Sequence, residues 1–168
     1  MSFSLSIFDK ARLRRDLLRH LEADLEMLVR RQRDTQAAAT HSENRPEHAK
    51  DTRATEQGYL ARGLAARVAE MKQTIDRLGS LELLRFDARQ PIALTALVML
   101  QDHEDGGTRT CWLVPCAGGV ALCQGDHALR TLTPRSPLGR ALLGLRVGDD
   151  GAFPTPGGER GFEILSIA

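Results

Sequence analysis

Three acidic side chains in a short central segment have a spacing that could bring carboxylates together. Glu43, Glu47 and Asp51 follow one another at intervals of four residues, and residues four apart lie on one face of a helix. If residues 46–52 are helical, Glu47 and Asp51 share a face, and such a pair can hold a divalent cation. The alternative is a solvated helix start, where the helix dipole favours acidic side chains without any ligand.

A second candidate site combines Cys111, Cys116, Cys123 and His127. Three thiolates and one imidazole make a set that zinc accepts. The two-residue knuckle spacing between cysteines is absent, however, and the cysteines lie in or beside runs typical of strands. We therefore expect free thiols, with a zinc-binding or purely structural coiled-coil module as the alternative.

Composition restricts the class of partner. Lys and Arg number 23 against 22 for Asp and Glu, which gives a net charge of +1, whereas proteins that coat nucleic acid usually carry a clear basic excess. Residues 9–33 are locally basic, which indicates a solvated helical surface or a face near RNA or DNA. No apolar run approaches the roughly 20 residues that span a bilayer, and residues 1–8 lack a signal-peptide pattern. We expect a cytoplasmic protein that does not bind membranes.

The elements that position the carboxylates are two long helices. Residues 9–78 contain only one proline and two glycines, and apolar residues recur at alternating spacings of three and four, the pattern of a coiled-coil seam. Two such stripes must bury each other. In an antiparallel pairing the two residue numbers of each pair add up to the same value. The two stripes meet this condition when Leu18 pairs with Leu78, Leu21 with Ile75, Leu25 with Met71, and Leu28 with Val68.

That pairing places the reversal of the chain at residue 48. The surrounding segment 41–51 contains Pro46, the only proline of this half, and proline suits the first position of a new helix. The pairing register of the two helices and the position of Pro46 are independent observations, and both place the chain reversal near residue 48. The sequence therefore predicts an antiparallel helical hairpin over residues 1–79, with its tip near 41–51 and the three acidic residues at that tip.

The remaining residues, 80–168, have the composition of strands and turns, with most of the prolines and glycines. Residues 91–100 are typical of a buried strand, and further strands are predicted at 108–114, 119–123, 129–133 and 161–167. Residues 136–144 predict a short helix with Ser136 as N-cap, Pro137 at the first position and Gly144 at its end. The predicted fold class is α+β, with two domains, 1–79 and 80–168.

Residues 136–149 read S-P-L-G-R-A-L-L-G-L-R-V-G-D, and residues 154–160 read P-T-P-G-G-E-R. This resembles the C-terminal signature of the Gre transcription factors, S-P-x-x-R-x-L-x-G-x-x-x-G-D followed by a T-P-G-G-E turn. Glu56-Gln57-Gly58-Tyr59 is similar to the second arm of their hairpin. The resemblance implies an N-terminal coiled coil followed by an FKBP-like C-terminal domain.

The resemblance also implies a function. Gre factors dock the C-terminal domain at the secondary channel of RNA polymerase, and here Ser136, Pro137 and Arg140 would contribute to docking. The hairpin reaches the catalytic centre, where carboxylates at its tip help to hold Mg²⁺ near the RNA 3′ end, and the polymerase cuts backtracked RNA. Such a protein is a cofactor to an enzyme and not an enzyme itself. We expect a monomer.

This sequence departs from the family at the tip. The family carries an acidic pair as D-x-x-E-N, whereas here Glu43-Asn44 is preceded by Thr40. Threonine is a poor Mg²⁺ ligand, so Glu43, Glu47 and Asp51 are left as the candidate metal ligands and catalytic carboxylates. Two functions stay open: a factor that stimulates cleavage, and a cleavage-deficient regulator or competitor of other channel factors.

Overall fold

The structure, a computed structural model, describes residues 5–43 and 52–168. A 3-10 turn, Leu5–Ile7, leads into helix α1, Lys10–Glu43, and helix α2 follows at Thr52–Gly79. Asp9 caps α1, since its carboxylate accepts hydrogen bonds from the N–H groups of Ala11 at 2.8 Å and Arg12 at 3.3 Å. Within the described ranges, no helix is long and apolar enough to cross a membrane.

The chain forms two compact units, and the first is helical and comprises Leu18–Gly79. Every residue of the predicted seam is buried or half-buried in it. Val68 and Leu78 are 7% and 0% exposed. A surface depression between the helices is lined by Leu28 and Met71, and Leu28 lies one turn from Leu25, the predicted partner of Met71. The detailed pairing stays a prediction, and the predicted tip at 41–51 lies largely outside the described residues.

The second unit comprises Met1–Leu17, of which residues 5–17 are described, and Ser80–Ala168. It contains a six-stranded sheet in the order β3-β4-β2-β1-β6-β5, with all neighbours antiparallel except the parallel pair β2 and β4. The elements are β1 Leu97–Asp102, β2 Thr108–Leu113, β3 Ala121–Gln124, β4 His127–Leu132, helix α3 Pro137–Leu142, β5 Asp150–Thr155 and β6 Gly158–Ile167. Helices followed by a mainly antiparallel sheet make the fold class α+β, as predicted.

Both faces of the central strand β1 are covered. On one face, Val98 and Leu100 join a core with Phe162 and Ile164 of β6 and with Leu138 and Leu142 of α3. On the other face, Leu97 and Met99 lie beside Leu5, Ile7 and Phe8. Because a strand alternates its side chains between two faces, this double burial explains why the first four residues of β1, Leu97–Leu100, are all apolar.

Residues 5–17 belong to the sheet unit, whereas the predicted domain assignment placed them with the hairpin. Leu5 and Phe8 are 4% and 8% exposed, and Gln124 of β3 fixes the start of α1. Its amide nitrogen donates to the Asp9 carbonyl at 2.9 Å, and its amide oxygen accepts from the Asp9 N–H at 2.8 Å. The beginning of the chain thus completes the core of the sheet unit.

The predicted strand 91–100 is wrong in its first half, since β1 begins at Leu97. Thr95 adopts a positive φ of 72°, which no strand allows, and its N–H donates to the Leu113 carbonyl at 2.7 Å. Ile92 packs in the hydrophobic core, and its N–H donates to the Leu145 carbonyl at 2.8 Å instead of pairing with a strand. Strand β5 was not predicted at all. It is an edge strand, where Pro154 is tolerated because its missing N–H has no partner to lose.

Candidate functional site

Helix α3 carries the residues predicted to dock on a partner. Ser136 is its N-cap: the hydroxyl accepts a hydrogen bond from Gly139 N at 3.0 Å and donates to the Thr133 carbonyl at 2.8 Å. Pro137 occupies the first helical position, as predicted. Leu138 and Leu142 face the core. Most of the signature in this helix therefore serves to build it and attach it to the sheet.

Four glycines in and beside the signature are required by their surroundings: Gly139 and Gly151 lack space for a side chain, and the signature glycines Gly144 and Gly148 adopt a positive φ. A Cβ on Gly139 would lie 2.0 Å from the Thr133 carbonyl oxygen, so no other residue fits without moving the backbone. A Cβ on Gly151 would lie 2.4 Å from the ring of Phe162, a fully buried side chain that would have to shift. Gly144 and Gly148 both adopt φ of 84°, the left-handed conformation that favours glycine.

Two signature residues of α3 remain on the surface. Pro137 and Arg140 are exposed. The guanidinium of Arg140 has no hydrogen bond or ion pair with any residue in the described part of the chain. Since the fold does not use this cation, it is available to a partner. Ser136, in contrast, is half-buried, and the hydrogen bonds of its hydroxyl form the N-cap of α3.

A charge cluster that the sequence did not reveal joins β1, β2 and β6. Asp102 is 2% exposed, and its carboxylate accepts from Arg109 Nη2 at 2.8 Å and lies 2.5 Å from Arg160 Nε. Burial alone would raise the pKa of Asp102, but the Glu104 N–H and the Arg160 charge outweigh it and hold the pKa below its usual value. Arg160 directly follows the T-P-G-G-E turn, and its contacts with Asp102 give this position a structural role.

The zinc alternative is wrong for the set of Cys111, Cys116, Cys123 and His127. Within residues 5–43 and 52–168, no three His, Cys, Asp or Glu side chains are grouped to hold a metal. Strand β4 lies between β2, which holds Cys111, and β3, which holds Cys123, so the two backbones are about 10 Å apart. Cys111 is buried, which raises the pKa of its thiol to about 11, whereas Cys123 is exposed.

The candidate metal ligands lie at the limit of the described residues. Glu43 is the last residue of α1, but its side chain, like that of Thr40, is not described, and Glu47 and Asp51 fall in the undescribed segment. As a donor set, three carboxylates suit Mg²⁺. Their roles as metal ligands and catalytic carboxylates stay predictions.

The comparisons with known proteins agree on one family. The family model described as "Transcription elongation factor, GreA/GreB, C-term" matches residues 90–168. "Transcription inhibitor protein Gfh1" of Thermus thermophilus is 32% identical over 116 residues, which cover 65% of this chain and 72% of that protein. The chain belongs to the GreA/GreB family of transcription factors.

Other proteins named GreA or Gfh1 match different shares of this chain and of their own length. "Transcription elongation factor GreA" of Cereibacter sphaeroides is 40% identical over 76 residues, 45% of this chain and only 46% of that protein, so the chain spans about half of this relative. A GreA of Halorhodospira halophila is 26% identical over 97% of this chain and 95% of its own. The solved structure of "GreA factor homolog 1 (Gfh1)" aligns over 90% of this chain and 94% of its own, at 23% identity and a TM-score of 0.37.

Proposed function

We propose that this protein binds RNA polymerase at the secondary channel through the sheet unit and inserts the helical hairpin toward the active site. The observation that carries this proposal is Arg140 on helix α3. Ser136 and the glycines of the signature serve the fold, whereas Arg140 is exposed and has no ion pair in the described part of the chain, and the neighbouring Pro137 is also exposed. Family membership supports a polymerase as the partner, since the relatives are named as transcription factors.

The hairpin supplies the reach that this function needs. Helices α1 and α2 contain 34 and 28 residues, lengths of about 50 and 40 Å at 1.5 Å per residue. Glu43, Glu47 and Asp51 are the residues that would hold Mg²⁺ together with the polymerase. A bound Mg²⁺ would supply charge stabilisation and an activated water for cutting the RNA 3′ segment. The protein itself contributes carboxylate oxygens and their positioning.

We propose further that stimulation of cleavage is weak or absent. Mg²⁺ needs carboxylate oxygens at roughly 2.0–2.1 Å, and Thr40 stands where the family has an aspartate. Glu43 alone is a poor site. The Thermus relative that matches 65% of this chain is named a transcription inhibitor, which supports a regulator or competitor of other channel factors.

The second candidate is a factor that does stimulate cleavage. The spacing of Glu43, Glu47 and Asp51 favours it, because a helix that begins near Pro46 would put Glu47 and Asp51 on one face. In that case the acidic site has moved along the tip and no longer uses the position of Thr40. The two candidates share polymerase binding and differ only in the chemistry of the tip.

Cleavage of RNA in a backtracked elongation complex, with and without the intact protein, tests these candidates. We expect weak or no cleavage by the unmodified protein and more cleavage by Thr40→Asp. Thr35→Asp is the matched control, because it makes the same chemical change in the same helix, five residues earlier, and should add no activity. Strong cleavage that is abolished by Glu47→Ala or Asp51→Ala would favour the second candidate. Strong cleavage that survives removal of all three acids would contradict the metal-ligand argument.

A further inference from the structure

The solvent-facing side of helix α3 carries an apolar residue as well as a cation. Pro137, Arg140 and Leu143 follow one another at intervals of three residues and are all exposed, and residues three apart lie on one side of a helix. Leu138 and Leu142, in contrast, are buried. Leu143 is the C-cap of α3 and is 40% exposed. The side of α3 that presents Arg140 therefore also presents an aliphatic side chain to solvent.

A second exposed leucine, Leu94, belongs to the loop before β1 and lies near Leu143. Two hydrogen bonds join the segments that hold them: the Ile92 N–H donates to the Leu145 carbonyl at 2.8 Å, and the Gly144 N–H donates to the Ile92 carbonyl at 2.9 Å. This pattern makes the two segments antiparallel, so the Cα atoms of Leu94 and Leu143 lie within about 10 Å of each other. Leu94 is 38% exposed. We call Leu94 and Leu143 the leucine patch.

The segments that form the leucine patch are basic and contain no acidic residue. Residues 88–101 and 133–148 include none of the 22 Asp and Glu residues of the chain but four arginines. All four arginines are exposed, and none has an ion pair in the described part of the chain: Arg89, Arg135, Arg140 and Arg146. The guanidinium of Arg146 donates to the Arg89 carbonyl, a neutral partner that leaves its charge uncompensated.

The acidic residues that border these two segments are engaged in the fold. Asp87 and Asp149 accept backbone hydrogen bonds within their own turns, at 2.8 and 2.7 Å. Asp102 is buried in the charge cluster with Arg109 and Arg160. The positive charge around the leucine patch is therefore not balanced by neighbouring carboxylates.

Apolar side chains beside unpaired arginines have the composition of a surface that binds protein, since the centres of such interfaces are apolar and arginine is enriched in them. A nucleic acid would offer phosphates to the arginines but little apolar surface to two leucines. The charge favours an acidic occupant, because complementary potentials orient and speed association.

We propose that the leucine patch and Arg140 form one docking surface, whose occupant is an acidic segment of RNA polymerase with an apolar side chain seated against Leu94 and Leu143. This inference rests on the proposed function, which supplies polymerase as the partner. The arginines accelerate encounter with the acidic segment, and the buried apolar contact slows dissociation. The docking surface thus extends from α3 to the loop before β1.

The test measures the equilibrium affinity of the intact protein for RNA polymerase at low and at high salt. Leu94→Ala and Leu143→Ala should each weaken binding about three- to tenfold at both salt concentrations, because apolar contacts are not screened. Ile7→Ala is the matched control and should bind like the unmodified protein: Ile7 is 43% exposed but lies beside Met99, on the face of the sheet opposite α3. The fluorescence of Trp112 verifies that each variant is folded.

The sign of the partner's charge is tested at Arg140. Arg140→Glu should bind more weakly than Arg140→Ala, because the new carboxylate repels an acidic segment, and the difference should shrink at high salt, where exposed charges are screened. Binding by Arg140→Glu that equals or exceeds binding by Arg140→Ala would contradict an acidic occupant.

Two further results would overturn the docking surface. One is binding of polymerase by the unmodified protein with Leu94→Ala and Leu143→Ala indistinguishable from Ile7→Ala, which would leave the proposed function intact. The other is binding of free duplex DNA or RNA that Leu143→Ala weakens, which would identify a nucleic acid as the occupant. Absence of polymerase binding by the folded unmodified protein would contradict the proposed function itself and this surface with it.

Discussion

The substitution Gly139→Ala should destabilise the sheet unit strongly although it only adds a methyl group to a short helix. The new Cβ would lie 2.0 Å from the Thr133 carbonyl oxygen, far inside van der Waals contact. Relief requires movement of the backbone, at a cost of about 1–3 kcal/mol. The same carbonyl accepts from Ser136 N and Oγ, and each hydrogen bond contributes about 0.5–1.5 kcal/mol. After subtraction of about 1 kcal/mol for the higher helix propensity of alanine, we expect a net loss of about 1–5 kcal/mol, the upper end applying if both hydrogen bonds are lost.

Trp112 provides the assay. It is the only tryptophan, it lies fully buried in β2, and its Nε1 donates to the Thr95 carbonyl at 3.2 Å. Its fluorescence in urea follows unfolding of the sheet unit. The urea midpoint for Gly139→Ala should be lower by about 0.5–2.5 M if the free energy of unfolding falls by about 2 kcal/mol per M of urea. Arg140→Ala is the matched control in the same helix and should stay within about 0.5 kcal/mol of the unmodified protein. An unchanged midpoint for Gly139→Ala would refute the steric reasoning.

Three further predictions concern other contacts of the sheet unit. Gln124→Ala should cost about 1–3 kcal/mol in the Trp112 transition, because both backbone groups of Asp9 lose a partner; no loss would show that the start of α1 is not held by this contact. The lowered pKa of Asp102 stabilises the fold above the unfolded-state pKa near 4, and this contribution is lost as the pH falls through the folded-state pKa. Asp102→Asn should therefore be less stable than the unmodified protein at pH 7, with the difference shrinking below about pH 4 in urea titrations; a constant difference would contradict the linkage. A thiol reagent at pH 8 should modify Cys123 rapidly and Cys111 only on unfolding, because Cys111 is buried with its pKa raised to about 11; rapid labelling of both would contradict the burial.

The parts of the fold that the sequence predicted are those specified by neighbours along the chain. The periodic leucines and the scarcity of glycine and proline identify α1 and α2, and every seam residue is at least half-buried. Ser136, Pro137 and Gly144 marked the limits of α3 because caps and helix ends are local chemistry.

The parts that could not be predicted depend on distant contacts. The apolar run that starts at Pro91 does not show at which residue strand pairing begins. Strand β1 begins only at Leu97, because the N–H groups of Ile92 and Thr95 donate to the carbonyls of Leu145 and Leu113. The assignment of residues 5–17 to the sheet unit depends on Gln124, more than a hundred residues away. A cleft lined by Leu5, Lys10 and Leu84 likewise arises from segments that are far apart in sequence. No local pattern encodes any of these.

The candidate functional residues divide in the same way. The signature predicted a docking role for both Ser136 and Arg140. The structure shows that Ser136 caps helix α3, whereas Arg140 is an exposed cation. The carboxylates Glu43, Glu47 and Asp51 remain supported by spacing and by family resemblance alone. The missing aspartate at Thr40 is visible in the sequence, but its consequence depends on the positions of tip side chains.

Binding of the intact protein to RNA polymerase, measured as an equilibrium affinity for the unmodified chain and for Arg140→Ala, tests the central claim most directly. We expect the unmodified protein to bind. Arg140→Ala should bind on the order of fivefold more weakly, the effect of losing about 1 kcal/mol at a charged contact, while its Trp112 unfolding transition is unchanged. Lys72→Ala, which removes an exposed cation from α2, is the charge-matched control and should bind like the unmodified protein. Absence of binding by the folded unmodified protein would contradict the account.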